Sequence, residues 1–162
     1  MIMNKHNIAL LLHNKDSLTI TTIKKIQLII CTFLALVVAN FSFQIVKYLS
    51  EYDTITQTPA TNHTVTLSVT TLLMSGLVSP FIEETVFRGI LLNYFSTYYL
   101  KTSVIVLSLI FASLHLDWFF YPYFFSSLIL SYAYLKSGKD LKISFIVHAL
   151  YNCSCLLLIY LN

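Results

Sequence analysis

What this chain has little of is charge. Asp, Glu, Lys and Arg make up 10% of its 162 residues, whereas hydrophobic residues make up 57%. Ordinary globular chains carry about 25% charged and about 45–50% apolar residues. So few charges cannot cover a water-facing surface, which excludes a soluble globular domain. The net charge of +3 is small and gives no reason to invoke a nucleic-acid partner. Cysteine is sparse too. Cys31, Cys153 and Cys155 lie in apolar stretches without a CxxC pair, so neither a zinc ribbon nor a disulfide framework is indicated. They read as small hydrophobes within helices. Internal repeats, low-complexity segments and HExxH are all missing.

What is there is a series of long apolar runs. An all-α, polytopic transmembrane helix bundle of about five spans is expected, embedded in the lipid bilayer of the cell membrane. The spans fall at 26–49, 65–92, 102–116, 118–135 and 141–161. About 20 apolar residues cross a hydrocarbon core, so the first crosses with room for tilt and the third is short. Residues 1–25 are expected to be a cytoplasmic tail or a short interfacial helix, ahead of a transmembrane domain over 26–162. His6, His13 and His63 sit in polar surroundings and read as bystanders. A polar loop at 50–63 carries Glu51 and Asp53, and a tight turn spans 136–140. Trp118, Tyr121 and Tyr123 have the character of an interfacial belt.

Within the second span, Pro80 can start or kink a helix, and Gly89 can let a neighbouring helix approach. The Thr/Ser-rich beginning of that span (Thr64, Thr66, Ser68, Thr70, Thr71, Ser75) suits helix–helix hydrogen bonds. The distribution of lysine sets the orientation. With the N-terminus inside, Lys5, Lys15, Lys24, Lys25, Arg88, Lys101, Lys136, Lys139 and Lys142 fall on or near the inner side, and Lys47 alone falls outside with Glu51, Asp53 and Asp117; the asymmetry holds with Arg88 discounted as intramembrane. That asymmetry predicts a cytoplasmic N-terminus and an exterior C-terminus.

Against this apolar background, Glu83, Glu84 and Arg88 stand out. A charge at the bilayer centre costs roughly 2.5–3.5 kcal/mol on insertion scales, so an intramembrane cluster is a functional hypothesis. A solvated loop between spans is the plain alternative for this run taken alone. Glu84 and Arg88 are four apart and share a helix face, which leaves Glu83 about 100° away without that partner. Phe111/His115 and His148/Asn152 repeat the spacing in later spans. A single histidine could serve helix packing. Two histidines, two glutamates, an arginine and an asparagine in different spans each need an internal partner, and a shared polar pocket provides it. Helix side chains lean toward their own N-terminus, so Glu83 and His115 are expected to converge. His148 lies roughly 12 Å from the inner end of its span. The expected pocket is near mid-depth and open to the cytoplasmic side.

EExxxR, FxxxH and HxxxN occur in that order as Glu83-Glu84-Thr85-Val86-Phe87-Arg88, Phe111-Ala112-Ser113-Leu114-His115 and His148-Ala149-Leu150-Tyr151-Asn152. Together with the Phe87-Arg88-Gly89 sequel, this pattern resembles the CAAX-protease and bacteriocin-processing (CPBP, or Abi) family, over about residues 75–155. The resemblance implies an intramembrane endopeptidase of glutamate type. Glu83 would be the general base, and His115 would position and polarise the water. His148 and Asn152 would stabilise the oxyanion, and Glu84 with Arg88 would support the helix register. It implies a peptide or protein substrate, such as a bacteriocin or pheromone precursor, and no cofactor. Zinc held by His115, His148 and a glutamate is the alternative by ligand type, although Asn152 is a poor zinc ligand. A bacteriocin-immunity protein that acts by contact without catalysis is the competing function. A transporter would want more spans or inverted repeats.

The orientation is testable. A cysteine placed near Asp53 should react with an impermeant thiol reagent on intact cells, and one near Lys139 should not. The reverse pattern would overturn the assignment.

Overall fold

The computed structural model describes residues 5–52, 68–117 and 119–161. Among these residues every regular element is a helix. They are α1 (Lys5–Tyr52), α2 (Val69–Leu73), α3 (Ser79–Glu84), α4 (Asn93–Ser113), α5 (Tyr121–Lys136) and α6 (Leu141–Leu161). Two π-helical segments, Met74–Val78 and Thr85–Leu92, join α2 to α3 and α3 to α4. The helical bundle expected from composition is present. Trp118, Thr64, Thr66, His63 and the part of the expected loop beyond Tyr52 lie outside the described residues.

Three helical stretches are long and apolar enough to cross a bilayer: Thr21–Lys47, Val69–Ser113 and Leu141–Leu158. The sequence reading expects five spans; two of them, 65–92 and 102–116, fall within one of these stretches, and another is α5, which is shorter than a full crossing. The stretch Val69–Ser113 is 45 residues long and folds back on itself. Phe87 and Phe111 would stand about 36 Å apart along a straight helix, yet their ring centroids are 5.1 Å apart. The reversal occurs at Tyr99, whose φ of −141° and ψ of 73° leave helical geometry. Helix α5 has 16 residues. Its length of about 24 Å falls short of a hydrocarbon core of about 30 Å. At the N-terminus, residues 5–25 are helical and continuous with the first span.

The bundle is apolar outside and seamed with small polar residues inside. Val38, Phe41, Phe81, Ile90, Ile105 and Leu158 are exposed, whereas Ser103, Ser108, Ser127, Ser131 and Ser144 are buried. This inversion suits lipid, where aliphatic side chains need no shelter and small side chains let helices approach. The seam lies later in the chain than the Thr/Ser-rich start of the second span suggests. There, Ser68 instead caps α2 by accepting from the Thr71 N–H. Two aliphatic–aromatic clusters fill the interior: Phe87, Leu92, Leu107, Phe111 and Tyr134 in one, and Leu36, Leu130 and Val147 in the other.

Pro80 sets the shape of the second stretch. It sits in the first turn of α3, where its missing N–H is least costly. The preceding π turn runs Ser79 N–H to the Met74 carbonyl. The Ser75 carbonyl therefore has no donor from Ser79, and Pro80 has none to give. Helix α6 fills the gap: Asn152 Nδ2 donates to the Ser75 carbonyl at 3.1 Å, and Cys153 Sγ lies 3.8 Å from the Gly76 carbonyl. Gly76 makes this approach possible, since a Cβ there would sit 2.8 Å from Cys153 Sγ. Gly89 has a lesser part than the sequence suggests, because a Cβ there would meet Leu141 at an ordinary 3.5 Å.

The two ends of the bundle differ. Between α5 and α6, Gly138 (φ +79°) and Lys139 (φ +66°) close the helix with Gly138 N–H to the Leu135 carbonyl and Lys139 N–H to the Tyr134 carbonyl. At this end Lys25 pairs with Asp140 at 2.7 Å, and Lys139 Nζ reaches Asn93 and Ser96. At the other end Phe43 of α1 packs against Phe119, Tyr121 and Phe125.

Gly76→Ala should lower the thermal unfolding temperature in detergent, by overpacking worth about 1–3 kcal/mol. Adding Cys153→Ala should recover most of that loss, and Gly89→Ala should be near neutral. Equal effects of the two glycine changes would contradict the packing described.

Candidate active site

Glu84 and Arg88 carry the site's geometry. Arg88 Nη1 donates to Glu84 Oε1 at 2.9 Å across the expected i,i+4 spacing, with side-chain exposures of 1% and 0%. No water reaches either charge, so each depends on protein partners. Arg88 finds them on α5: Nη2 donates to both the carbonyl and the hydroxyl of Ser127, each at 2.9 Å. Its guanidinium also lies 5.1 Å from the centroid of the Phe111 ring. Glu84 Oε1 accepts a second bond, from His148 Nδ1 on α6 at 3.0 Å. One ion pair thus ties the second stretch to α4, α5 and α6.

Glu83 stands on the other side of His148. Its Oε2 lies 3.8 Å from His148 Nε2, and its side chain is 26% exposed. It is free of Arg88 as the spacing predicts, but it has a partner of its own, because Ser79 Oγ donates to Oε1 at 2.5 Å. Ser79 is one turn before Glu83, so the pair was present in the sequence as an i,i+4 relation. Imidazole tautomers follow from the acceptors. A carboxylate has no proton to give, so Nδ1 of His148 is the donor to Glu84, and in the neutral ring Nε2 is left with its lone pair toward Glu83.

His115 is not on a helix face. Helix α4 ends at Ser113, and Leu116 takes a left-handed φ of 52°, which turns the chain toward Asp117. The His115 ring folds back so that Nδ1 lies 2.9 Å from the Phe111 carbonyl, which again makes Nδ1 the donor. It stacks on Tyr123, with centroids 4.1 Å apart and planes at 23°. Phe111 lies beside both imidazoles, 4.9 Å from His115 and 6.2 Å from His148.

Glu83, His115, His148 and Asn152 all line one cavity of about 590 Å³. The four residues expected to be catalytic are therefore brought to one cavity, while Glu84 and Arg88 lie buried beneath. Asn152 is partly engaged, because one Nδ2–H is committed to the Ser75 carbonyl. The direction of the opening differs from the sequence expectation. The cavity runs past Ser126 and Tyr123 to Asn40, Gln44, Lys47 and Asp117, which belong to the end opposite the lysine-rich turn. Toward the lysine-rich end, Phe87, Leu92, Leu107 and Tyr134 close the floor. Sequence reasoning placed the mouth by the depth of Glu83 and His148 along their helices, and depth does not report which end is plugged.

Ser127, Ser79 and Tyr123 were missed from the sequence. The signal for Ser127 was faint: a Ser126-Ser127 pair within an otherwise aromatic and aliphatic helix. Among the described residues, no group of three or more His, Cys, Asp or Glu side chains could hold a metal ion.

These features define a class: a membrane-embedded helical bundle with an ionised network at the base of a polar well. A family model described as type II CAAX prenyl endopeptidase Rce1-like matches residues 65–154, more than half of the chain. The chain belongs to this family of intramembrane proteases. No curated protein and no solved structure matches it.

Glu84→Gln or Arg88→Ala should each destabilise the fold by about 3–5 kcal/mol, since either leaves a buried charge unpaired. Glu84→Gln combined with Arg88→Gln should cost less than the sum of the single changes, as read from thermal unfolding in detergent. Ser127→Ala should cost about 1 kcal/mol, because the Ser127 carbonyl still accepts from Arg88. Strict additivity in the double variant would contradict the pairing.

Proposed function

We propose that this protein hydrolyses a peptide bond within the membrane, using a water activated by Glu83 with His115 and His148. The observation that carries the reading is the arrangement around His148, whose two nitrogens face Glu84 at 3.0 Å and Glu83 at 3.8 Å at the base of the cavity. Glu84, fixed by Arg88, holds the ring in one tautomer and leaves Nε2 toward the well, as an orienting carboxylate does for a catalytic histidine. His115 is set in the same tautomer by the Phe111 carbonyl.

In this mechanism Glu83 removes a proton from water as the oxygen attacks the scissile carbonyl. The carbonyl π electrons move to oxygen and form a tetrahedral oxyanion. Protonated Glu83 then delivers the proton to the leaving nitrogen as the C–N bond breaks. The second Nδ2–H of Asn152 supplies a donor for the oxyanion, where fixed dipoles in a water-poor site count most, and the Nε2 lone pair of His148 orients the attacking water beside Glu83. His115 orients the water from the Tyr123 side. All of these groups belong to the protein, so no metal is required.

The substrate is a peptide or protein segment, of the kind represented by a bacteriocin or pheromone precursor. Cleavage serves peptide maturation or self-immunity. The membrane orientation is the one set by the lysine distribution, with the N-terminus cytoplasmic.

Glu83→Gln should abolish cleavage of a fluorescence-quenched peptide library in proteoliposomes, by at least the ~10²-fold typical of a lost general base. Its amide oxygen still accepts from Ser79, so the unfolding temperature should hold. Wild-type cleavage should survive exhaustive 1,10-phenanthroline. Loss that added zinc restores would favour the metal reading through His115 and His148. If Glu83→Gln still protects cells against a bacteriocin, contact rather than catalysis carries the role.

A further inference from the structure

The lysines and the cavity lie at opposite ends of the bundle. Lys25 is fixed to Asp140 at one end, and Lys139 to Asn93 and Ser96. Lys136 and Lys142 flank the same turn, at the end of α5 and the start of α6. Lys101 follows the Tyr99 reversal, and Asn93, on the approach to that reversal, is bonded to Lys139. The other end carries Lys47 with Asp117. Lysine-rich ends of membrane bundles face the cytoplasm. The mouth at Asp117 therefore faces outward.

Among the described residues, the lysine-rich side of the site is packed with buried side chains. A substrate arriving there would have to pass Phe87, Leu92, Leu107 and Tyr134, all buried, and then the Glu84–Arg88 pair. From the outer side the approach is polar. Asn40, Gln44 and Ser126 line the descent, and Asn40 Nδ2 donates to Ser126 Oγ at 3.0 Å. Such walls suit an extended peptide backbone, which must satisfy its own N–H and C=O groups wherever lipid is near. Leu116, fully solvent- or lipid-facing at 92% exposure, stands at the rim beside His115.

We propose that the catalytic well is loaded from the non-cytoplasmic face, so that its substrates are exported peptides or outward-facing segments of membrane-anchored chains. This rests on the peptidase reading for the word substrate, but the direction of access stands on the geometry and the lysine distribution alone. The reaction that supplies such a substrate is translocation: a transport or insertion step must place the peptide outside before it is cut.

Two measurements separate these claims. In a background with Cys31, Cys153 and Cys155 replaced by alanine, Leu116→Cys should react with an impermeant maleimide on intact cells. Lys139→Cys should react only after permeabilisation. In the same cells, single-span reporters carrying randomised peptide libraries on the outer flank should be cut in a Glu83-dependent manner, and the same libraries on the inner flank should not. Labelling of Lys139→Cys but not Leu116→Cys from outside overturns the proposal, as does Glu83-dependent cutting confined to the inner flank. Outward labelling with neither library cut keeps the direction of access and removes the peptidase reading.

Discussion

A carboxylate and a guanidinium held away from water constrain everything else in this bundle. Arg88 and Glu84 pair across one helical turn through Nη1 and Oε1 and take further partners from other helices, while Glu84 Oε2 and Arg88 Nε stay buried without one among the described residues. Arg88 needs the Ser127 carbonyl and hydroxyl on α5, and Glu84 accepts from His148 on α6. Burying unpaired charge costs several kcal/mol, so any packing that separated these elements would be penalised at once. The pair therefore fixes the relative placement of α5, α6 and the second helical stretch, and the imidazole that faces the cavity is placed as a by-product.

The remaining packing follows from lipid as solvent. Aliphatic side chains have no preference between lipid and a protein interior, so the seams between helices are made from serine and glycine. Ser108, Ser127, Ser131 and Ser144 are all buried, and Gly76 lets α6 approach the first π segment. Pro80 and that π segment leave the Ser75 carbonyl without a donor from its own helix. Asn152 supplies one from α6. The same side chain thus closes a backbone deficit and lines the well, which couples the shape of the second stretch to the proposed oxyanion donor.

Ionic and aromatic groups divide the labour around the cavity. Phe111 lies against the Arg88 guanidinium and beside both imidazoles, so it separates the buried charge pair from the histidine nearest the mouth. Tyr123 holds the other face of His115 by stacking, and its hydroxyl reaches Asp117 at 3.4 Å. Leu116, in a left-handed conformation beside His115, marks where the chain leaves α4 to make that arrangement. Backbone in this region is disfavoured for a branched side chain, and such positions are found where surrounding structure requires them.

Much of this was legible in the residues. Scarce charge and long apolar runs gave a helical membrane bundle, because lipid leaves no other way for a single chain of such helices to satisfy its backbone. The i,i+4 spacing gave the Glu84–Arg88 pair and the separation of Glu83 from it, since helical periodicity is a local property. What lay beyond local periodicity required the tertiary structure. The reversal between the spans expected at 65–92 and 102–116 was legible, but its place at Tyr99 has no proline or glycine to mark it. The role of Ser127 depends on a helix 39 residues away from Arg88. The bond from Asn152 to Ser75 depends on a π turn that sequence periodicity does not reveal. The direction of the cavity depends on which end is plugged by Phe87, Leu92, Leu107 and Tyr134, side chains drawn from three segments. Sequence determined which residues must avoid lipid, because that is set by each side chain's own chemistry. Tertiary structure decided which partners they found and which face the well opens on, because those depend on how separate helices meet.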